Sequence, residues 1–142
     1  MTTGIKIAFI CTGNSARSQI AEGFGKYYAK KFGKDIEVFS GGSKPVGYVH
    51  PLAIKVMAEK GIDISNNKSK SLNEIPLNEI DYLITLCGEA EKECPVIPNV
   101  KVEHWRILDP AGVNSSEEEK LKIFRKVRDL IDTKVKALIK RL

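Results

Sequence analysis

The feature that most limits what this chain can fold into is an apolar run, Ile5-Lys6-Ile7-Ala8-Phe9-Ile10, followed at once by Cys11-Thr12-Gly13-Asn14-Ser15-Ala16-Arg17-Ser18. The run reads as a buried strand. The segment from about Ala16 to Phe32 reads as a helix, with Ile20, Phe24, Tyr27 and Tyr28 near one face and Ala21 and Gly25 small enough for close packing. The loop between them is rich in Gly, Asn and Ser, which tolerate tight backbone geometry. Its N–H groups can converge on one point, where the helix N-terminus adds positive potential. Arg17 contributes a planar fork of donors suited to a tetrahedral oxyanion. Cys11 is then a thiol inside an anion-binding cradle, and that field favours its thiolate. A core cysteine beside a surface arginine is the bland alternative. It does not account for the loop's position after a strand, nor for Gly13, Asn14 and Ser18 within it.

Downstream, strand and helix patterns alternate. Ile36-Glu37-Val38-Phe39-Ser40 reads as a second strand ended by Gly41-Gly42. A helix from about Pro51 to Lys60 places Leu52, Val56 and Met57 at helical spacing, with proline at its start and Gly61 as its cap. A short helix is expected near Ser71–Glu74. Tyr82-Leu83-Ile84-Thr85-Leu86 is a continuous apolar run, as in a parallel sheet buried on both faces. Val100 to Trp105 reads as a fourth strand. Ser115 or Ser116 caps a long last helix with Glu117, Glu118 and Glu119 in its first turn. Phe124, Val127, Ile131, Val135 and Leu138 form its apolar stripe. The alternation implies an α/β fold, a four-stranded parallel sheet flanked by helices in three layers. Ligands of such sheets bind at the carboxyl ends of the strands. Cys11, Cys87 and Asp109 each follow an expected strand, so they can converge there.

The 142 residues suit one domain with a sizeable core, and residues 1–142 are read as a single domain. The net charge of +5 comes from scattered bases, many on the last helix opposite its apolar stripe. A solvated helix face is the reading, with no nucleic-acid partner. No apolar run is long enough to cross a membrane, and no signal-peptide pattern opens the chain. A cytoplasmic monomer with reduced thiols is expected. Three cysteines do not suit a static disulfide framework.

Cys11 through Gln19 with Ala21-Glu22-Gly23 closely resembles the thioredoxin-coupled arsenate reductases, which share the low-molecular-weight protein tyrosine phosphatase fold. The resemblance continues through Gly61-Ile62-Asp63-Ile64-Ser65, Thr85-Leu86-Cys87, Cys94-Pro95, His104-Trp105 and Asp109-Pro110-Ala111-Gly112. The pair Cys87 and Cys94 separates reductase from phosphatase. The resemblance implies that Cys11 attacks arsenate and that the loop Thr12, Gly13, Asn14, Ser15, Ala16, Arg17 and Ser18 binds its oxygens. Phosphate and sulfate would bind as analogues. Ser18 would stabilise the Cys11 thiolate, Asn14 would hold the loop with a positive φ, and Asp109 would be the general acid. Cys87 would attack Cys11 to release arsenite, and Cys94 would attack Cys87. Thioredoxin would reduce the resulting Cys87–Cys94 disulfide, with no bound cofactor.

If residues 87–94 were helical, their terminal Cα atoms would lie roughly 10 Å apart, and a disulfide needs about 4.4–6.8 Å. The segment is therefore expected to change conformation on oxidation. Two departures from the family stand out. Ala16 replaces a second loop cysteine found in many relatives. Some reductases bind potassium through Asn, Glu, Ser and Asp; Asn14, Glu22 and Ser40 match the first three, but Lys70 stands at the fourth. No required metal is expected, zinc included. His50 and His104 are read as structural, and Trp105 as packing beside the site. A phosphatase acting on phosphotyrosine or small phosphoesters through Cys11, Arg17 and Asp109 is the alternative reading.

Overall fold

The computed structural model describes residues 4–87 and 100–142. Four parallel strands form one sheet: β1 (Ile5–Cys11), β2 (Ile36–Gly42), β3 (Tyr82–Thr85) and β4 (Lys101–His104), in the order β2-β1-β3-β4. Among the described residues three α-helices accompany them: α1 (Arg17–Lys31), α2 (Pro51–Ala58) and α3 (Glu117–Arg141). Short 3-10 turns occupy Leu72–Glu74, Leu77–Glu79 and Pro110–Gly112.

β1 is a central strand of a parallel sheet covered on both faces, so both of its faces are apolar. Ile7, Ala8, Phe9 and Ile10 are all at most 1% exposed. Phe9 faces α1 at Gly25, where a side chain would collide with it, and packs against Trp105 with ring centroids 5.9 Å apart. On the opposite face, Ile75 lies against Gly41, the register partner of Ile10. The stripe of α3 is as the spacing predicts: Phe124, Val127, Ile131, Val135 and Leu138 are buried.

Several boundaries move. β2 continues through Gly41-Gly42 because its edge pairs with β1 as far as Cys11. A side chain at Gly42 would strike the Thr12 and Cys11 carbonyl oxygens. α2 stops at Ala58, two residues early, and turns out through Gly61 at φ +74°. Tyr27 does not join the buried face of α1: it is 41% exposed, with the Lys31 ammonium over its ring. Trp105 is buried against Phe9, with the Lys134 ammonium 5.8 Å from its ring centroid. On α3, Arg128 departs from the solvated-face reading: it is buried and bonds the Val56 carbonyl and Glu59, tying α3 to the end of α2.

Candidate active site

β1 ends at Cys11 and α1 begins at Arg17, so the residues between them span the carboxyl edge of the sheet. Ala16, the N-cap of α1, offers no side-chain cap, and the first turn holds no acidic residue. The amides at this helix start are left facing the loop, the arrangement that attracts an anion. Asn14 has φ +46° and is fully buried. Its Nδ2 donates to Ser18 Oγ at 2.8 Å and Ser40 Oγ at 3.0 Å. Its Oδ1 accepts from the Lys70 backbone N–H at 2.6 Å and from Gln19 Nε2 at 3.0 Å. The amide thus saturates itself while locking the loop in a left-handed turn.

Cys11 Sγ lies 2.9 Å from Ser18 Oγ. Ser18 accepts from Asn14 and keeps its own proton, which it can donate to a thiolate at Cys11. Arg17 Nη1 donates to the Ile107 carbonyl at 2.8 Å, and its Nη2 lies 3.7 Å from Asp109 Oδ2. Asp109 accepts from the Ala111 N–H at 3.0 Å and caps the 3-10 turn Pro110–Gly112. Its side chain stays about half exposed, at 48%. Cys11, Gly13, Ser15, Ala16, Arg17 and Asp109 wall a pocket of about 150 Å³. Drug-sized ligands need roughly 300–1,000 Å³, so the pocket suits a small anion.

Cys87 follows β3, beside the end of β1: Leu86 N–H donates to the Ile10 carbonyl at 2.8 Å. The Cys87 thiol is buried and lies 3.2 Å from the hydroxyl of Thr12, the residue after Cys11. Cys94 and the expected rearrangement after Cys87 lie outside the described residues. The structure thus brings together Cys11, the whole loop from Thr12 to Ser18, Cys87 and Asp109.

The wall also holds Val46, Tyr48, His50 and Ala111, none of which the sequence marks as a site residue. His50 lines the same pocket as Cys11 and is also the N-cap of α2, its Nδ1 accepting from Leu52 N–H at 3.1 Å. The signal was its place directly before Pro51, where a capping side chain belongs. His104 is structural, its Nδ1 lying 2.6 Å from Thr85 Oγ1. Behind the loop, buried Glu22 accepts from Ser40 Oγ and from Lys26 Nζ at 2.9 Å, and Lys70 Nζ lies 3.5 Å from it. Two ammonium groups thus face this carboxylate.

A thiol, an arginine and a carboxylic acid sharing one small pocket are the parts of a class: enzymes that attack a tetrahedral oxyanion through cysteine. The model of the low molecular weight phosphotyrosine protein phosphatases matches residues 6–142, and the chain belongs to that family. It is 45% identical over 135 residues to an arsenate reductase of Oceanobacillus iheyensis, covering 94% of each chain. Among solved structures it resembles an arsenate reductase in the phosphate binding state, with TM-score 0.77 and 36% identity over 96% of this chain and 98% of that one. It also resembles a thioredoxin-dependent arsenate reductase of Corynebacterium glutamicum, with TM-score 0.77 and 29% identity over 99% of this chain and 62% of that one. Among the described residues no helix is long and apolar enough to cross a membrane.

Proposed function

We propose that this protein reduces arsenate to arsenite through a relay of its three thiols. The observation that carries the reading is the Cys87 thiol at the end of the strand next to Cys11, hydrogen-bonded to Thr12. Hydrolysis of a phosphoester needs no second thiol there. In this scheme the Cys11 thiolate attacks arsenic, Asp109 gives its proton to a departing oxygen, and water leaves. Arg17 leaves the Ile107 carbonyl to face the oxyanion. Cys87 then attacks Cys11 sulfur. The S–As bond breaks, its electron pair reduces As(V) to As(III), and arsenite departs from a Cys11–Cys87 disulfide. Attack by Cys94 on Cys87 frees Cys11 and leaves Cys87–Cys94 oxidised. A dithiol protein, thioredoxin in our reading, returns the pair to thiols. We place this chemistry in a cytoplasmic monomer.

The family also supports a second reading, phosphoester hydrolysis, since Cys11, Arg17 and Asp109 serve either reaction. The deciding experiment follows arsenate-dependent NADPH oxidation with thioredoxin and thioredoxin reductase, beside phosphoester hydrolysis. Arsenate turnover by the wild type, lost in Cys87→Ser and Cys94→Ser while hydrolysis persists, is the expected result. Hydrolysis in all three proteins without arsenate turnover overturns it. Because Lys26 and Lys70 already balance Glu22, we further propose that turnover needs no potassium. Equal rates are expected in potassium and sodium salts of the same ionic strength, and stimulation by potassium alone would reject this.

A further inference from the structure

The segment leading into α2 is zipped along the oxyanion loop. Lys44 N–H donates to the Thr12 carbonyl at 2.9 Å, Val46 N–H to Gly13 at 3.1 Å and His50 N–H to Ser15 at 2.9 Å. Ser15 Oγ returns a bond to the Tyr48 carbonyl at 2.8 Å. The C-terminal end of this zipper is fixed by a histidine acting as a helix cap. Asn, Asp, Ser and Thr usually fill that position, and none of them is a base near neutral pH. A histidine caps only while the capping nitrogen has a free lone pair. Leu52 N–H is a donor, so Nδ1 accepts and Nε2 carries the proton.

We propose that His50 is a positioning residue for the oxyanion loop whose hold depends on its own protonation: neutral His50 caps α2 and fixes the 44–50 segment along the loop, and the imidazolium lets go. Protonated Nδ1 would point a second N–H at the Leu52 N–H, so the cap bond is lost and two donors face each other. The cation would also sit at the positive end of α2. The ring is packed on Phe124, with centroids 4.7 Å apart. Charged groups of α3 and of the loop after β4 act on it. Lys120 on α3 opposes the cation, and Glu117 on α3 and Asp109 on its loop favour it, while Cys11 and Arg17 share the pocket wall. Burial outweighs the two carboxylates, and the imidazole titrates below its ordinary range.

A base whose folded-state pKa is depressed contributes stability that is complete above its unfolded value, near 6.5, and is lost as pH falls below it. The zipper should therefore be closed at neutral pH and loosen on acidification. The proposal concerns the oxyanion loop and holds whether the bound anion is reduced or hydrolysed.

Amide exchange tests it, read as protection factors at Val46, His50 and Leu52 between about pH 7.5 and about pH 5, the range a histidine spans. Wild type should lose protection by about fivefold on acidification, the scale of a lost helix cap. In His50→Asn, which keeps a neutral cap, protection should stay level, and in His50→Ala it should be low at both ends of the range. Nitrogen-15 shifts should report Nδ1 as the unprotonated nitrogen at neutral pH, with only His104 to distinguish. A wild-type profile parallel to that of His50→Asn would overturn the proposal, and so would a neutral tautomer protonated at Nδ1. The comparison with His50→Asn stands even if His50→Ala does not fold.

Discussion

Asn14 commits all its polar atoms to four neighbours while holding a backbone angle that most side chains avoid. Replacement by Ala loses those bonds and keeps the strain, and should lower stability by roughly 3 kcal/mol in chemical denaturation. Replacement by Gly relieves the strain but not the lost bonds, and should recover about 1 kcal/mol of it. Equal losses in the two variants would mean that the angle itself costs little. At Ser18 the consequence is chemical. Ser18→Ala removes the donor that faces Cys11 sulfur, and alkylation of Cys11 by iodoacetamide near pH 6 should slow about tenfold, the scale of a hydrogen bond to a charged group. Thr12→Val deletes the hydroxyl beside Cys87 while leaving Cys11 with Ser18. In single-turnover arsenate reduction it should slow arsenite release more than loss of the Cys11 thiol. The clustering of Cys11, Asn14 and Ser18 was legible because all three sit in one short loop. The Thr12–Cys87 contact joins residues 75 apart, and only strand register brings them together.

At the scale of elements, helix ends carry the clearest local chemistry. Ser116 accepts from the Glu119 N–H at the start of α3, and three glutamates follow it. Ser116→Ala should cost about 1 kcal/mol, read as a lower unfolding midpoint. Where α2 ends, Glu59 meets Arg125 and Arg128 of α3. Hydrogen bonds from Arg125, opposed by burial and reinforced by Arg128, bring its carboxyl down to about 2. A depressed carboxyl stabilises the fold above its unfolded value, and that contribution drains away as pH falls toward the folded one. Thermal midpoints of wild type and Glu59→Gln should therefore converge as pH drops from about 5 toward 2, and a constant gap would contradict the assignment. Caps, stripes and strand runs were readable because their causes lie within one turn or one strand. Arg128 was not. A base opposite an apolar stripe reads as solvated until a second helix brings its own carbonyl and carboxylate to meet it.

For the molecule as a whole, the parallel sheet and the gathering of Cys11, Cys87 and Asp109 at one edge followed from alternating patterns and a rule about strand ends. The packing of Trp105 against Phe9, the exposure of Tyr27 and the place of His50 in the pocket wall did not, because each depends on how separate elements settle against one another. One arrangement has a further consequence. The oxyanion loop, its arginine and its acid come from the β1–α1 junction and the segment after β4, whereas Cys87 and Cys94 both belong to the single connection from Thr85 to Lys101. Under the proposed relay, both thiols that follow Cys11 in turning oxyanion attack into electron transfer lie in that one stretch. Oxidoreductase and hydrolase would then differ by an exchangeable cassette between two strands, and grafting it onto a phosphatase of the same fold would transplant the redox half of the chemistry without disturbing the half that binds the anion.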